Sequence, residues 1–272
     1  MLILGQTYTI LYYSVVVWYD FRAILVMKKL FFALILSVTL ISCEDDKPTD
    51  TQSSSIVFNF RHLYKQESLS IRNDNQLVYN TQTNNAYNVK SLKYYVSKLT
   101  LENADGALHD VNMYKLINAA EGQNFTQYVL NNVPSGVYKK LHFIFGIDST
   151  RNVLLGLPNN SETNSMEWPI VLGGGYHFMM LEGVFRKADS NLSGYAIHLG
   201  KSPNQYKASF NIDLDMTVSN TRNIDIIMNV DQWFDGINKV NLNDGYGYIM
   251  EDSLKQLQFK QNANSVFSIE QK

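Results

Sequence analysis

The chain has 272 residues and a single cysteine, so no disulfide can form within it and its core has to hold without covalent staples. It has no cluster of basic residues. Lys and Arg number 23 against 25 Asp and Glu, a formal net charge of -2, which argues against a nucleic-acid partner because phosphate binding needs a basic patch. It has no apolar run of the roughly 20 residues a membrane-spanning helix needs, the stretch 8–19 being shorter. The motifs of common catalytic sites are missing as well: no Gly-x-Ser-x-Gly, no Walker loop and no His-Glu-x-x-His. Gly173-Gly174-Gly175 is followed by neither Lys-Ser nor Lys-Thr and runs into a strand pattern, so it reads as a turn. Acidic residues are scattered, which leaves paired-carboxylate chemistry and an EF-hand loop without support. A protein that binds and does not catalyse is expected.

What the chain does contain is apolar and aromatic: 45% of residues are hydrophobic, with 17 Tyr and 14 Phe among many Asn, Thr and Val. Such a mixture favours strands and turns. Period-two alternation begins at Ile56, with Ile56, Phe58, Phe60 and His62 on one face. Further strands are predicted at 89–101, 111–117, 138–147, 176–185, 195–199, 210–218, 224–230 and 266–269. Asp105-Gly106 and Val133-Pro134-Ser135-Gly136 supply turns. A helical turn at 231–234 and a short helix at 252–262 complete the pattern. Many short strands separated by Gly, Asn and Pro predict an all-β domain, an antiparallel β-sandwich with short helical segments, over residues 55–272. Residues 73–88 and 152–165 read as its longest loops.

The N-terminal part reads differently. Met27-Lys28-Lys29 and the apolar run 30–41 form a signal peptide, and Leu40-Ile41-Ser42-Cys43 resembles a bacterial lipobox, so residues 27–43 end at a lipidated Cys43. Residues 1–26 serve no purpose ahead of a complete signal and are expected to be an upstream extension from a mis-assigned start. Residues 44–54 are polar and acidic, a disordered tether. Their acidic start resembles the export tract of Bacteroidota surface lipoproteins. An outer-membrane lipoprotein is therefore expected, held by a lipid anchor and facing the periplasm or the cell surface.

The densest chemistry lies between Met166 and Gly200, where Met166, Trp168, His177, Met179, Met180 and His198 fall within a few strands. Soft and borderline donors of this kind suit copper better than calcium or magnesium, although methionines and aromatics on strands also serve as ordinary core. His62 ends an apolar face, and His198 lies beside Gly200 at a strand end. His109 and His142 read as turn and strand-surface residues. Alternation puts His177 on the face opposite Tyr176 and Phe178.

Several segments, in order, resemble the MbnP-like copper-binding family, found in methanotrophs and as lipoproteins of Bacteroidota. They are Phe58-Asn59-Phe60-Arg61-His62, the run from Val89 to Leu99, Val133-Pro134-Ser135-Gly136-Val137-Tyr138, the run from Phe145 to Asn152, Met166-Glu167-Trp168, Gly175-Tyr176, Leu181-Glu182-Gly183 and His198-Leu199-Gly200. The resemblance implies a β-sandwich that binds copper in the cell envelope through histidines and a tryptophan oxidised to kynurenine. It also implies a partner, a dihaem MauG/MbnH-like enzyme of the cytochrome c peroxidase family. On this resemblance His62 and His198 are the expected ligands, Trp168 the oxidised residue and Met166 a soft supplement, while Trp233 is an ordinary buried sandwich tryptophan. The family pattern often carries a second tryptophan two residues further on. Here Ile170 stands in its place, and 171–174 lengthen the link to Gly175-Tyr176. The alternative is a surface lipoprotein sandwich that binds glycans or proteins without a metal.

Overall fold

The computed structural model describes residues 54–122, 126–201, 205–218 and 220–272. The expected upstream extension, signal peptide, lipidated Cys43 and all but the last residue of the expected tether lie outside the described residues. That last residue, Ser54, opens the first strand.

Among the described residues the strands are β1 (Ser54–Tyr64), β2 (Glu67–Ser68), β3 (Tyr79–Asn80), β4 (Ala86–Tyr87), β5 (Ser91–Asn103), β6 (Leu108–Asn118), β7 (Gln127–Val133), β8 (Val137–Phe145), β9 (His177–Arg186), β10 (Leu192–Gly200), β11 (Tyr206–Asp215), β12 (Thr221–Asn229) and β13 (Phe267–Gln271). Three short helices accompany them: α1 (Ser161–Asn164), α2 (Gln232–Asp235) and α3 (Ser253–Val266). The strands form a five-stranded sheet ordered β13-β12-β1-β2, with β7 also on β1, and an eight-stranded sheet ordered β11-β8-β5-β9-β4-β3, with β6 on β5 and β10 on β9. This is an all-β sandwich. Its ladders are antiparallel except β1 with β12, which runs parallel from Ser55 opposite Thr221 to Leu63 opposite Asn229. A parallel pair needs a long crossover, and here most of the domain lies between the two strands.

Alternation explains β1: Ile56, Phe58 and Phe60 are buried in the main core while their neighbours are half-buried. The core lies between the sheets, where Phe58, Ile226 and Met228 of one meet Tyr94, Phe145, Met179 and Leu181 of the other. α2 and α3 close it with Trp233 and Phe259. Trp233 is fully buried, its ring 5.2 Å from that of Phe145, the sandwich-tryptophan role expected of it. Each such large side chain removed from water contributes about 1.5–3 kcal/mol.

One departure from simple alternation positions the site. In β5, Tyr94 and Tyr95 are both buried because the eight-stranded sheet is covered on both faces. Tyr94 faces the main core. Tyr95 belongs to a second apolar cluster with Leu116, Ile147, Leu157, Met166, Tyr176 and Phe178. That second cluster is roofed by residues 146–176, the excursion between β8 and β9.

Candidate metal centre

The excursion is fixed at both ends. At its start the Gly146 amide donates to Tyr95 O at 2.8 Å. Gly146 has φ 104°, and a Cβ there would stand 2.7 Å from Phe178 Cγ, so only glycine fits. Asp148 accepts hydrogen bonds from the Tyr114 and Thr150 hydroxyls. Asn152 Oδ1 accepts from the Tyr176 amide at 2.9 Å, and the Tyr176 hydroxyl accepts from the Leu157 amide at 3.1 Å. The end is a tight hairpin-like loop. The Trp168 amide donates to Gly175 O at 2.9 Å and the His177 amide to Met166 O at 2.7 Å, while Gly173, Gly174 and Gly175 all take positive φ to turn the chain.

This loop delivers Trp168 to β9 and β10. The indole is 2% exposed and lies on Gly200, where a Cβ would stand 2.4 Å from Trp168 Cε3. The His177 ring is 4.8 Å from the Trp168 ring and 4.9 Å, edge-on, from that of His198. Lys201 Nζ lies 6.0 Å from the centre of the indole. The β9–β10 ladder shifts register between Leu199 and Gly200, which turns His177 toward Trp168 and His198 while Tyr176 and Phe178 enter the second cluster.

Hydrogen bonds settle which nitrogens are free. His177 Nδ1 is 3.1 Å from Met166 O, and a carbonyl only accepts, so Nδ1 carries the proton. Burial, helped by the neighbouring His198, pushes the His177 pKa down to about 4, so the ring is neutral at pH 7 and Nε2 presents a lone pair. That Nε2 is buried without a hydrogen-bond partner, as is Trp168 Nε1. His198 Nε2 is 2.7 Å from Glu182 Oε1, and the bond from His198 holds the Glu182 carboxyl below its usual range. An ionised carboxylate accepts, so Nε2 of His198 carries its proton and Nδ1 is the nitrogen left to face a ligand. Both imidazoles are thus oriented through the nitrogen that would not touch a metal, by a backbone carbonyl in one case and a carboxylate in the other. This is how proteins commonly hold histidine ligands.

The expectation that His62, His198 and Trp168 line one pocket is met only in part. Trp168 and His198 come together through His177, which touches both. His62 does not join them, because it lies on the β1 face that points into the sandwich with Ile56, Phe58 and Phe60. Its Nε2 is 3.1 Å from the Tyr94 hydroxyl, the two rings meet edge-on at 5.7 Å, and burial lowers its pKa to about 4. Met166 contributes through its backbone carbonyl, while its side chain fills the second cluster. His142 pairs with Glu102 on the strand surface, as its context suggested. Two members of the group were missed in the sequence: His177, and Glu182. The turn at 187–191 contained the signal. It sets His198 opposite Met180 and Glu182 opposite Ala196, so Glu182 is the diagonal neighbour of His198 on one face.

Among the described residues no three His, Cys, Asp or Glu side chains are grouped for a metal ion. The geometry explains why, since Glu182 sits behind His198 and leaves two imidazoles as the available donors. Imidazole suits copper, and the buried His177 Nε2 with the half-buried His198 ring beside an indole, Met180 standing opposite His198 on β9, make a soft donor set. The residues present fit a copper ion better than a hard cation.

A family model described as MbnP matches residues 53–251. The solved structure of MbnP from Methylosinus trichosporium is similar with a TM-score of 0.51 and 12% sequence identity, covering 80% of this chain and 99% of that one, a likeness of fold. No curated protein matches the chain.

Proposed function

The chain belongs to the MbnP family, and from that premise we propose that it is a copper-binding protein of the cell envelope, not an enzyme, whose metal is held by His177 and His198 beside Trp168. The observation that carries this reading is the buried lone pair of His177 Nε2, aimed by the Met166 carbonyl and in ring contact with both Trp168 and His198. Bound copper would supply a redox-active or transferable ion. The protein's own part is to hold two imidazoles in fixed orientations and to exclude water by burying Trp168 and His177.

Trp168 as it stands offers only an N–H donor, and here that donor meets no acceptor. Oxidative opening of the indole between C2 and C3, with both oxygen atoms supplied by an external oxidant and C2 then lost as formate by hydrolysis, leaves an aryl ketone and an aromatic amine. Those groups can face a metal where the indole cannot. The proposed oxidant is hydrogen peroxide, two equivalents delivering the two oxygen atoms and leaving as water, and the proposed catalyst is a dihaem MauG/MbnH-like partner enzyme. Cys43 is the proposed lipid attachment site, which would keep the domain at the outer membrane.

The test is a competition titration with a Cu(I) chelator. His177→Ala and His198→Ala are each expected to weaken binding at least tenfold, while His62→Ala leaves it unchanged. Equal affinity of all four proteins would reject the assignment.

A further inference from the structure

The β9–β10 hairpin has a second feature at its turn end, away from His177 and His198. There an open cleft of about 340 Å³ lies between the hairpin and residues 242–248. Its floor is apolar, formed by the buried side chains of Phe185 and Leu242. One wall is Tyr248, 70% exposed. The Ala196 amide donates to Gly247 O at 2.7 Å, which fixes the Tyr248 backbone along the outer edge of β10. The Tyr248 hydroxyl then reaches back to Gly194, 3.2 Å from where a Cβ would stand. Only the hydroxyl approaches Gly194, and a phenol ring exposed to this degree keeps a face open for a ligand.

The rim is polar and has donors to spare. Asn243 Oδ1 accepts from the Ala188 amide at 3.0 Å, which leaves its NH2 group directed elsewhere. The Ser193 hydroxyl makes only a 3.4 Å contact with the neighbouring Gly194 carbonyl. Lys187 faces Asp189 at 3.2 Å, with both side chains about half exposed. A lone ammonium already opposite a carboxylate does not suit a phosphate-bearing ligand. The mixture of an open aromatic face, an apolar floor and hydrogen-bonding groups at the edge suits a flat, uncharged, hydroxyl-rich molecule.

We propose that this cleft is a carbohydrate subsite, in which Tyr248 stacks against the C–H face of a pyranose and Asn243, Ser193 and Lys187 donate hydrogen bonds to its hydroxyl oxygens. The site is separate from the proposed copper centre and does not rest on it. Amide NMR of the labelled domain, titrated with the methyl glycosides of glucose, galactose, mannose and N-acetylglucosamine, tests it. With at least one of the four, saturable shifts are expected at Gly194, Asn243 and Tyr248, retained in Tyr248→Phe and abolished in Tyr248→Ala. Unperturbed amides around His177 serve as the folding control. The proposal is overturned if none of the four glycosides gives saturable shifts, or if Tyr248→Ala binds as tightly as the wild type.

Discussion

Acid should destabilise this domain partly through His177, and replacing that residue with phenylalanine should remove a defined part of the effect. In the folded protein, burial and the nearby His198 hold the His177 pKa at about 4, against 6.5 for an exposed histidine. Between those values the unfolded chain binds the proton that the native state refuses, so stability rises with pH across that window. The contribution is complete above pH 6.5 and is lost as the pH falls through 4, a difference of ~3 kcal/mol. That is a large share of the 5–15 kcal/mol typical of a folded protein, as an order of magnitude. His177→Phe keeps the ring volume but forfeits the Nδ1 hydrogen bond to Met166, which costs about 1 kcal/mol at neutral pH. Urea unfolding followed by circular dichroism from pH 7.5 to pH 4 would give both quantities. Apart from Glu182, whose carboxyl His177 also helps to lower, the carboxylates keep their surroundings in the two proteins, so the difference in slope reports the His177–Glu182 pair. His62→Phe is an independent companion, since burial places that pKa at about 4 as well. If wild type and His177→Phe lose the same stability over this range, the buried neutral imidazole is not as described.

Gly200→Ala would set a methyl group 2.4 Å from Trp168 Cε3, and overpacking of this kind costs about 1–3 kcal/mol, so calorimetry should show a lower Tm and fluorescence a shifted indole; an unchanged Tm would contradict the packing. Glu182→Ala removes the group that orients His198 without touching the core, and Cu(I) affinity should fall roughly 10–100-fold while the fold is retained. Wild-type affinity in that variant would mean that Glu182 has no part in the site.

Much of the fold was legible because strand burial follows a period of two. The segments beginning at Ile56, Val89, Tyr138 and Ile224 all became strands within a few residues of where alternation placed them. β7 escaped notice since Gln127–Val133 is mostly surface-facing and its alternation is interrupted by two asparagines, one of them at φ 56°. The short α1 also hides in a polar loop, where only the Asn160 and Thr163 capping pair signals it.

The site was legible in composition more than in geometry. Met166, Trp168 and His198 were singled out by their neighbourhood, and two of the three side chains do meet at one place. His62 lies apart from them, and the sequence carries the clue: it shares a face with Ile56, Phe58 and Phe60, and a face that buries three large apolar residues leads into the sandwich. Alternation places His177 opposite Tyr176 and Phe178, and the strand has them so. The long excursion 146–176, which no period-two pattern describes, returns Trp168 to the side of β9 that His177 occupies. Nothing local in the sequence states where such an excursion lands.

The central claim is tested most directly by anomalous scattering at the copper edge from crystals of the copper-loaded protein. The account predicts one peak roughly 2 Å from both His177 Nε2 and His198 Nδ1, next to residue 168. A peak bound to His62, or copper scattered over the surface with both of those nitrogens bare, would contradict it.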